Sequence, residues 1–390
     1  MHYAERNICA MADYFASGCK ADKLLGLELE HFVVDAATLA AIPYENGVER
    51  LLLNMASQCG GVPNFVDGRI LGLQFDDAYI SLEPAAQVEI SVRPVGNIAE
   101  IAKIYDAFVK RISPILHEMG YALLCMGYQP VSSATVIPLI PYKRYEFMDG
   151  YFSSTGGCGV NMMRGSAATQ VSIDYKNETD FSKKFRVANI LGLLFSLACD
   201  NADSFEGRAK RLIRTYIWND VDPARSGVAH AALDGDFGFY DYARYVYGVP
   251  PIFLGGEYTG RTPASEIFAH RAMTPEEIEH LTSMVFTDVR LKTCMEIRMA
   301  DSMPISAALA YTDMLKNIFY DEARLAELHE KTRRLKNCDV QKAKAALLKN
   351  GADAIIYGKP AQKWLHEIFG GASVYEEFEQ TLRKAGTRAI

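Results

Sequence analysis

The sequence predicts an α+β fold in which helices surround an antiparallel sheet. Segments 24–35, 87–93, 170–174 and 290–301 alternate polar and apolar residues, a pattern typical of strands with one packed face. Segments 75–81 and 87–93 flank a short connection, which favours an antiparallel pair. Between and after these strands, apolar residues recur at helical spacing.

The composition and net charge of the chain indicate which kinds of molecule it binds. The 390 residues are 49% hydrophobic and 23% charged, which is typical of a globular chain. A net charge of -7 without a basic patch argues against a nucleic-acid partner. Small charged ligands fit this balance better, and the sequence leaves the oligomeric state open.

The first twenty residues carry Glu5, Arg6, Asp13 and Lys20, so the uninterrupted apolar core of a secretory signal is missing. Later segments are too short or too polar to span a bilayer. We therefore expect a cytoplasmic protein without a membrane partner. Its eight cysteines lack C-x-x-C spacing, which favours reduced structural thiols.

The chain is predicted to form a single catalytic domain, 1–390. From residue 305 onward the pattern is helical, with amphipathic stretches at 305–335, 339–350 and 372–385. Motifs with chemical function are missing from this part of the sequence. We interpret 305–390 as a helical cover on the same domain.

Two carboxylates share one face of the first predicted strand. Glu28 and Glu30 lie at alternate positions, about 6.5 to 7 Å apart along the backbone. This spacing suits one carboxylate to each of two neighbouring Mg²⁺ ions, which prefer oxygen ligands. When the pair is taken alone, a solvated polar face is the more common explanation.

The same spacing of polar residues recurs on two further strands. Gln87 and Glu89 share a face, with Glu83 at the entrance to their strand, and Gln170 alternates with Ser172. The glycine-rich turn before the latter strand lacks the lysine and spacing of a phosphate-binding P-loop.

Glu296 and Arg298 form the fourth such pair, on a short apolar strand. For this pair alone, an exposed ion pair on an edge strand is the common explanation. If all four strands line one sheet, however, several carboxylates and an arginine meet on one face, where divalent cations compensate their charge. Because phosphates are the usual co-ligands of Mg²⁺, this face is predicted to bind a nucleoside triphosphate.

These residues also resemble a known family, the plant-type and bacterial glutamate–cysteine ligases. The resemblance runs in order over about residues 24–305. The segments that carry it are GLELE (26–30), SLEPAAQVEIS (81–91), residues 162–174, which begin with MM and end with QVSID, and residues 280–301, which contain HL, VRLK and EIRMAD. It implies a glutamine-synthetase-like fold, with a curved antiparallel sheet forming a funnel. It also implies that ATP and Mg²⁺ are used to join the γ-carboxylate of glutamate to the amine of cysteine.

Carried over position by position, the resemblance implies roles for individual residues. The implied ligands of two or more Mg²⁺ ions are Glu28, Glu30, Glu83, Glu89 and Glu296. Arg298 would face the γ-phosphate and Lys292 would bind ATP. Substrate binding falls to Gln87, Gln170, Arg214 and Arg225, since RTYIWNDVDPARSG (214–227) is similar to the family's R-x-x-x-W-x-x-x-D-x-x-R-x-G stretch. Within it, Arg225 is expected at the α-carboxylate of glutamate.

The chain departs from the family's pattern at two places. Ala85 and Ala86 stand where the family often has two glycines, and Leu29 stands where it often has histidine. Three other functions therefore stay open at this point. These are a γ-glutamyl ligase for another amine, a phosphotransferase on the same fold, and a binding protein without catalytic activity.

Overall fold

The strands of the protein are short, and about half of them belong to one large sheet. A computed structural model describes residues 3–229 and 231–385. Within these residues the strands are β1 (Leu25–Asp35), β2 (Val62–Val66), β3 (Arg69–Gln74), β4 (Ala78–Leu82), β5 (Val88–Val92), β6 (Tyr121–Leu124), β7 (Ala168–Ile173), β8 (Ser204–Phe205), β9 (Arg208–Ala209), β10 (Ser226–Gly227), β11 (Ile252–Leu254), β12 (Glu257–Gly260), β13 (Phe286–Thr287), β14 (Val289–Leu291), β15 (Met295–Asp301), β16 (Ile355–Ile356) and β17 (Lys359–Pro360).

In the described part of the chain, nine strands form the large sheet. Their order is β14-β15-β7-β1-β5-β4-β3-β2, and β6 pairs with the second half of β1. Every pairing in this sheet is antiparallel. The remaining strands form two-stranded ribbons. The predicted α+β class with an antiparallel sheet is confirmed.

The four strands with predicted polar faces are neighbours in this sheet. Glu28 of β1 pairs with Gln170 of β7 on one side, and Glu30 of β1 pairs with Glu89 of β5 on the other. Strand β15 follows next to β7. Because side chains opposite each other in a register point to the same face, this order places the polar residues together.

One predicted strand begins later than expected. The pattern predicts a strand over 75–81, but β4 starts at Ala78. Phe75 N donates to Ala78 O at 2.9 Å, so residues 75–78 form the turn of a β3–β4 hairpin. The charged pair Asp76-Asp77 lies in this turn, where aspartate is favoured.

Helices cover the sheet. Those formed by the described residues are α1 (Tyr3–Ala16), α2 (Glu49–Cys59), α3 (Ile98–Met119), α4 (Lys143–Phe152), α5 (Gly159–Gly165), α6 (Glu178–Ala198), α7 (Ile213–Trp218), α8 (Phe239–Tyr247), α9 (Ala264–Ile267), α10 (Pro275–Ser283), α11 (Ile305–Phe319), α12 (Glu322–Thr332), α13 (Asn337–Asn350), α14 (Ala361–Ile368) and α15 (Ala372–Ala385). Asn97 caps α3 by accepting from Glu100 N at 3.0 Å, as the helix-start preference of asparagine predicts.

Helix α6 is the buried centre of the helical layer. Every residue from Lys184 to Ala198 is buried, as expected of a helix that is apolar all round. It contacts β14 and β15 on the sheet side and α12, α13 and α14 on the other. The C-terminal helices are therefore connected to the sheet through α6.

The C-terminal segment is helical, as predicted. The stretch predicted over 305–335 is divided into α11 and α12, because Asp321 caps α12 by accepting from Ala323 N and Arg324 N. Helix α11 contacts α3, β1 and β7. Helix α14 was missed by the pattern. The assignment of 1–390 to one domain stays a prediction.

The structure also bears on the predictions about membrane-spanning segments and cysteines. Within the described residues, none of the helices combines the length and the apolar character needed to cross a bilayer. The eight cysteines have free thiols, and Cys125, Cys158 and Cys199 are buried. Burial suits the structural role that their apolar contexts predict.

Candidate active site

The polar face of the sheet opens into a cavity of ≈ 270 Å³. Its walls carry four carboxylates, from β1, β5 and the connection between β4 and β5, and five cations. The ionic and amide side chains at its wall are Glu28, Glu30, Glu83, Gln87, Glu89, Arg144, Gln170, Arg214, Arg290, Lys292 and Arg298. All of the predicted site residues except Glu296 and Arg225 line this cavity.

Three carboxylates form one cluster in the cavity. Glu30 on β1 and Glu89 on β5 are paired across the strands, and Glu83 follows the end of β4. One oxygen of each lies within 4.8 Å of the others. Such a group offers three oxygen ligands to one cation.

The carboxyl groups of this acidic cluster hold their protons more tightly than isolated carboxyl groups do. Burial, together with the charge of Glu89, raises the pKa of Glu30 to about 8. Burial and the charge of Glu30 raise the pKa of Glu83 to about 8, and the pKa of Glu89 is also raised well above its usual value. A charged cluster at this place therefore needs a positive partner.

A second group at the site is dominated by cations. Glu296 is fully buried and accepts from Arg290 Nε at 2.6 Å, Lys292 Nζ at 3.0 Å and Arg298 Nη1 at 2.8 Å. Although burial opposes ionisation, these three cations hold the pKa of Glu296 well below its usual value. Glu296 therefore fixes the three cations at the cavity wall.

Gln170 connects the two groups. Its Oε1 accepts from Arg298 Nη1, and its Nε2 donates to Glu30 Oε1 at 3.2 Å. Glu30 Oε2 also accepts from Ala168 N at 2.7 Å. One amide thus sets the position of Arg298 relative to the acidic cluster.

Glu28 lies between the acidic cluster and Glu296. Burial and then the charge of Glu296 raise the pKa of Glu28, so these two carboxylates are electrostatic neighbours. A cation bound between them would relieve this repulsion. Metal ligation by Glu28 and Glu296 stays a prediction.

The structure places Arg225 inside the protein, next to the site and not in its wall. Arg225 is fully buried and lies outside the cavity lining. Its guanidinium donates to Asp222 Oδ2 at 2.7 Å, to Pro250 O and Met284 O at 2.9 Å each, and to Tyr151 Oη at 3.0 Å. These four bonds engage four of its five N–H groups and tie three segments together. Binding of the glutamate α-carboxylate by Arg225 stays a prediction.

Arg214 and Lys292 do reach the cavity. Arg214 is buried, with Nη2 at 3.2 Å from Arg298 O and Nε at 3.6 Å from Asp301 Oδ1. Lys292 is bonded to Glu296 through its Nζ and is about one third exposed (33%). Their predicted roles in substrate and ATP binding remain compatible with these positions.

Two cations of the site were missed in the sequence. Arg290 begins the segment 290–301, but the sequence alone did not show that it lies opposite Glu296 in the register of β14 and β15. Arg144 begins the first turn of α4 and donates to Ser283 O and Oγ at 3.3 Å each. Because Arg144 follows a long irregular segment, the sequence carried no signal for its position.

Comparison with known proteins decides the family. Residues 24–386 match the sequence pattern of glutamate-cysteine ligase family 2. The chain belongs to glutamate-cysteine ligase family 2. The resemblance found in the sequence is thereby confirmed.

Members of the family with similar sequences are plant proteins. The chloroplastic glutamate–cysteine ligase of Brassica juncea is 31% identical over 326 residues, covering 79% of this chain and 63% of that protein. The corresponding protein of Medicago truncatula is 30% identical over 338 residues, covering 83% and 66%. The one of Arabidopsis thaliana is 30% identical over 336 residues, covering 82% and 64%. The chain thus spans about two thirds of the length of these relatives.

A solved structure described as a novel glutamine synthase homolog aligns with 90% of this chain and 72% of its own. Its TM-score is 0.29 and its sequence identity is 9%. A similarity of this size carries no argument about the fold. The antiparallel sheet and its register therefore stand on the structure of this chain alone.

The turn that carries Glu83 shows the family departure at Ala85-Ala86. Ala86 has a φ of 65°, in the left-handed region that glycine adopts without strain. Gln87 Oε1 accepts from Ala85 N at 2.9 Å, and Gln87 Nε2 donates to Ser166 O at 3.0 Å. The amide of Gln87 therefore holds this turn, and substrate binding by Gln87 stays a prediction.

Proposed function

We propose that this chain uses ATP to join the γ-carboxylate of glutamate to the amine of cysteine, through γ-glutamyl phosphate. The observation that carries the proposal is the meeting of an acidic cluster and a cation group in one cavity, linked by Gln170. Membership of glutamate-cysteine ligase family 2 supports the same reaction.

The acidic cluster fits divalent metal. Three buried carboxylates with oxygens within 4.8 Å and raised pKa values form a site whose charge a cation would balance. Glu30, Glu83 and Glu89 would hold one Mg²⁺, and Glu28 with Glu296 would hold a second. When bound, Mg²⁺ would neutralise phosphate charge and so reduce the repulsion between ATP and a carboxylate.

The cation group fits the transferring phosphoryl group. Arg298, Arg290 and Lys292 are held by one carboxylate, Glu296, so their positions are fixed before substrate arrives. Fixed donors stabilise developing charge without reorganising during the reaction. Arg298 also donates to Gln170, which keeps its guanidinium turned toward the acidic cluster.

The proposed chemistry has two steps. An oxygen of the γ-carboxylate attacks the γ-phosphorus of ATP, the bond from that phosphorus to the β–γ bridging oxygen breaks, and ADP leaves. The neutral amine of cysteine then attacks the acyl carbon, the carbon–oxygen bond to phosphate breaks, inorganic phosphate leaves, and the nitrogen releases one proton to give the amide. The first step brings a carboxylate to the polyanionic triphosphate, and the cations reduce the repulsion between them.

Two wider predictions accompany this function. The names of the plant relatives include the word chloroplastic, which gives the location of those plant proteins. A cytoplasmic location is our proposal for this chain. We also propose that residues 305–390 cover the same catalytic domain, because α11 contacts β1 and β7.

An assay with a panel of amines tests the acceptor. Purified protein is given ATP, Mg²⁺, glutamate and one amino acid at a time, and both ADP and the γ-glutamyl amide are measured. We expect cysteine to give the highest kcat/KM with ADP and amide in equal amounts. A preference for another amine would refute the cysteine assignment, and ADP without any amide would indicate a phosphotransferase.

A further inference from the structure

A β-bulge interrupts strand β15 next to the active site. Ile297 lies opposite Val171 of β7. The next paired residues are Ala300 and Thr169, so β15 advances by three residues where β7 advances by two. An extra residue on one strand shifts the alternation of its side chains by one position. Beyond the bulge, odd-numbered residues of β15 therefore lie on the face that even-numbered residues occupy before it.

The bulge turns Asp301 toward the face that carries the site. Asp301 lies opposite Ala168, and Ala168 lines the active-site cavity together with Gln170. Residues opposite each other in a register point to the same face, so Asp301 shares this face. In an unbroken strand, alternation would place it with Met295 and Ile297 on the packed face.

Asp301 is a buried carboxylate that lies against Arg214. It is only 4% exposed, and Arg214 is only 6% exposed. Asp301 Oδ2 accepts from Asn201 N at 2.8 Å, and Asp301 Oδ1 lies 3.6 Å from Arg214 Nε. Within residues 3–229 and 231–385, Arg214 Nε has no hydrogen-bond partner. Asp301 thus supplies the ion pair of a buried donor that lacks a hydrogen bond.

The terminal nitrogens of Arg214 support the backbone at the bulge and reach the cavity. Nη2 donates to Arg298 O at 3.2 Å, and Nη1 donates to Ser166 Oγ at 3.4 Å. Arg298 N donates to Asp288 O. Asp288 N donates to Gly227 O instead of returning a bond to Arg298. Among the described residues, Arg214 thus keeps one N–H group on each terminal nitrogen for the cavity that it lines.

We propose that Asp301 is a positioning residue of the ligation reaction, which holds Arg214 so that it supports the backbone of Arg298 and presents its remaining N–H groups to an anionic substrate group. The proposal rests on the function given above. Because Arg298 also donates to Gln170 and Glu296, a shift of its backbone changes the position of the cation group relative to the acidic cluster. Asp301 itself lies outside the cavity lining, so it acts through Arg214.

The ionisation of Asp301 provides a readout of this role. Burial, and then the charge of Asp200, raise the pKa of Asp301 to about 8, while the charge of Arg214 opposes this rise. The other ionisable groups that face Asp301 are Arg211 and the thiol of Cys199. Asp301→Asn reproduces the shape of the protonated, neutral side chain. Wild type and variant are therefore expected to differ above the pKa of Asp301 and to agree below it.

The test compares the wild type with Asp301→Asn at pH 6 and pH 9, in saturating MgCl₂, by kcat/KM for glutamate in amide formation. At pH 9 the variant should lose about tenfold, within the range for coupled buried neighbours, and at pH 6 the two should agree within about twofold. Titration of Glu30 and Glu83 cancels in the ratio, because both proteins contain them. Asp203→Asn, at an exposed position, should match the wild type throughout. An equal loss in Asp301→Asn at both pH values would overturn the proposal.

A double-mutant cycle shows whether Asp301 acts through Arg214. In the Arg214→Gln background, Asp301→Asn should change kcat/KM at pH 9 by less than about twofold, because the guanidinium that it positions is gone. A further tenfold loss in that background would contradict the proposal. Arg214→Gln also serves if Asp301→Asn does not fold. The factor by which the wild type exceeds Arg214→Gln should then be larger at pH 9 than at pH 6, and an equal factor would reject the role.

The wild type separates this proposal from the proposed function. If it forms no glutamate-dependent amide, the proposed function fails and the role of Asp301 fails with it. If it is active and Asp301→Asn matches it at pH 9, only the role of Asp301 is rejected.

Discussion

Arg298 Nη1 lies 2.8 Å from Glu296 Oε2, two residues earlier on the same strand. Exposed ion pairs of this spacing contribute little, but Glu296 is fully buried and also holds Arg290 and Lys292. The pair is therefore the centre of a buried network. Its loss should affect both stability and activity.

We expect Glu296→Gln to abolish amide formation and to lower the free energy of unfolding by about 3 kcal/mol or more. The reason is that three cations lose the carboxylate that neutralises them, and breaking a buried pair is strongly destabilising. Denaturant unfolding and ADP release measure the two effects. Glu279→Gln, at an exposed position, is the control; full stability in Glu296→Gln would remove this network from our account.

Arg298→Lys should lower kcat about a hundredfold while changing the KM for ATP much less. Lysine keeps the charge but loses the planar group that reaches Glu296 and Gln170 together. Loss of one fixed donor to a developing charge typically costs about 3 kcal/mol. Steady-state kinetics with Arg208→Lys, at an exposed site, as control check this; an unchanged kcat would place Arg298 outside the reaction.

The acidic cluster predicts a dependence of stability on pH. Folded Glu30 and Glu83 have pKa values of about 8, against 4.5 for an ordinary glutamate. Between these values the folded protein holds protons that the unfolded chain has released, so stability falls as pH rises. Without metal, we expect the Tm to decline between about pH 5 and pH 8.

Mg²⁺ should reverse this decline. The ion must displace protons from the cluster at both pH values, but fewer of them at pH 8 than at pH 6. The rise in Tm on adding MgCl₂ should therefore be larger at pH 8 than at pH 6, and smaller in Glu83→Gln. A rise that is equal at both pH values and in both proteins would argue against metal binding at this cluster.

Arg225→Met tests whether Arg225 has a structural role or binds substrate. Four bonds to Asp222, Tyr151, Pro250 and Met284 would be lost, and Asp222 would stay buried without its partner. We expect the free energy of unfolding to fall by about 3 to 5 kcal/mol, with an unchanged KM for glutamate in the folded fraction. A raised glutamate KM at full stability would restore Arg225 to the substrate site.

The sequence was sufficient to predict residues whose positions follow from the alternation of side chains along a strand. The pairs at Glu28/Glu30 and Glu296/Arg298 lie on one face because the period of a strand is two. Neighbouring strands then brought these faces together, with Glu30 opposite Glu89. The metal candidates could thus be found without a structure.

Residues that act through long-range packing could not be found in this way. Arg225 stands in a motif with Asp222, but only the fold shows that it also donates to Pro250 O and Met284 O. Arg144 follows a long irregular segment, and only the fold shows that it donates to Ser283 at the end of α10. Distances between such distant segments are set by tertiary contacts.

The central claim is that glutamate is activated as γ-glutamyl phosphate, and an isotope measurement tests it directly. Glutamate labelled with ¹⁸O in its γ-carboxylate is incubated with the protein, ATP, Mg²⁺ and cysteine. The account predicts one ¹⁸O atom in each inorganic phosphate released, in equal amount to γ-glutamylcysteine, because the amine cleaves the acyl phosphate at carbon. Amide product accompanied by unlabelled phosphate would contradict it.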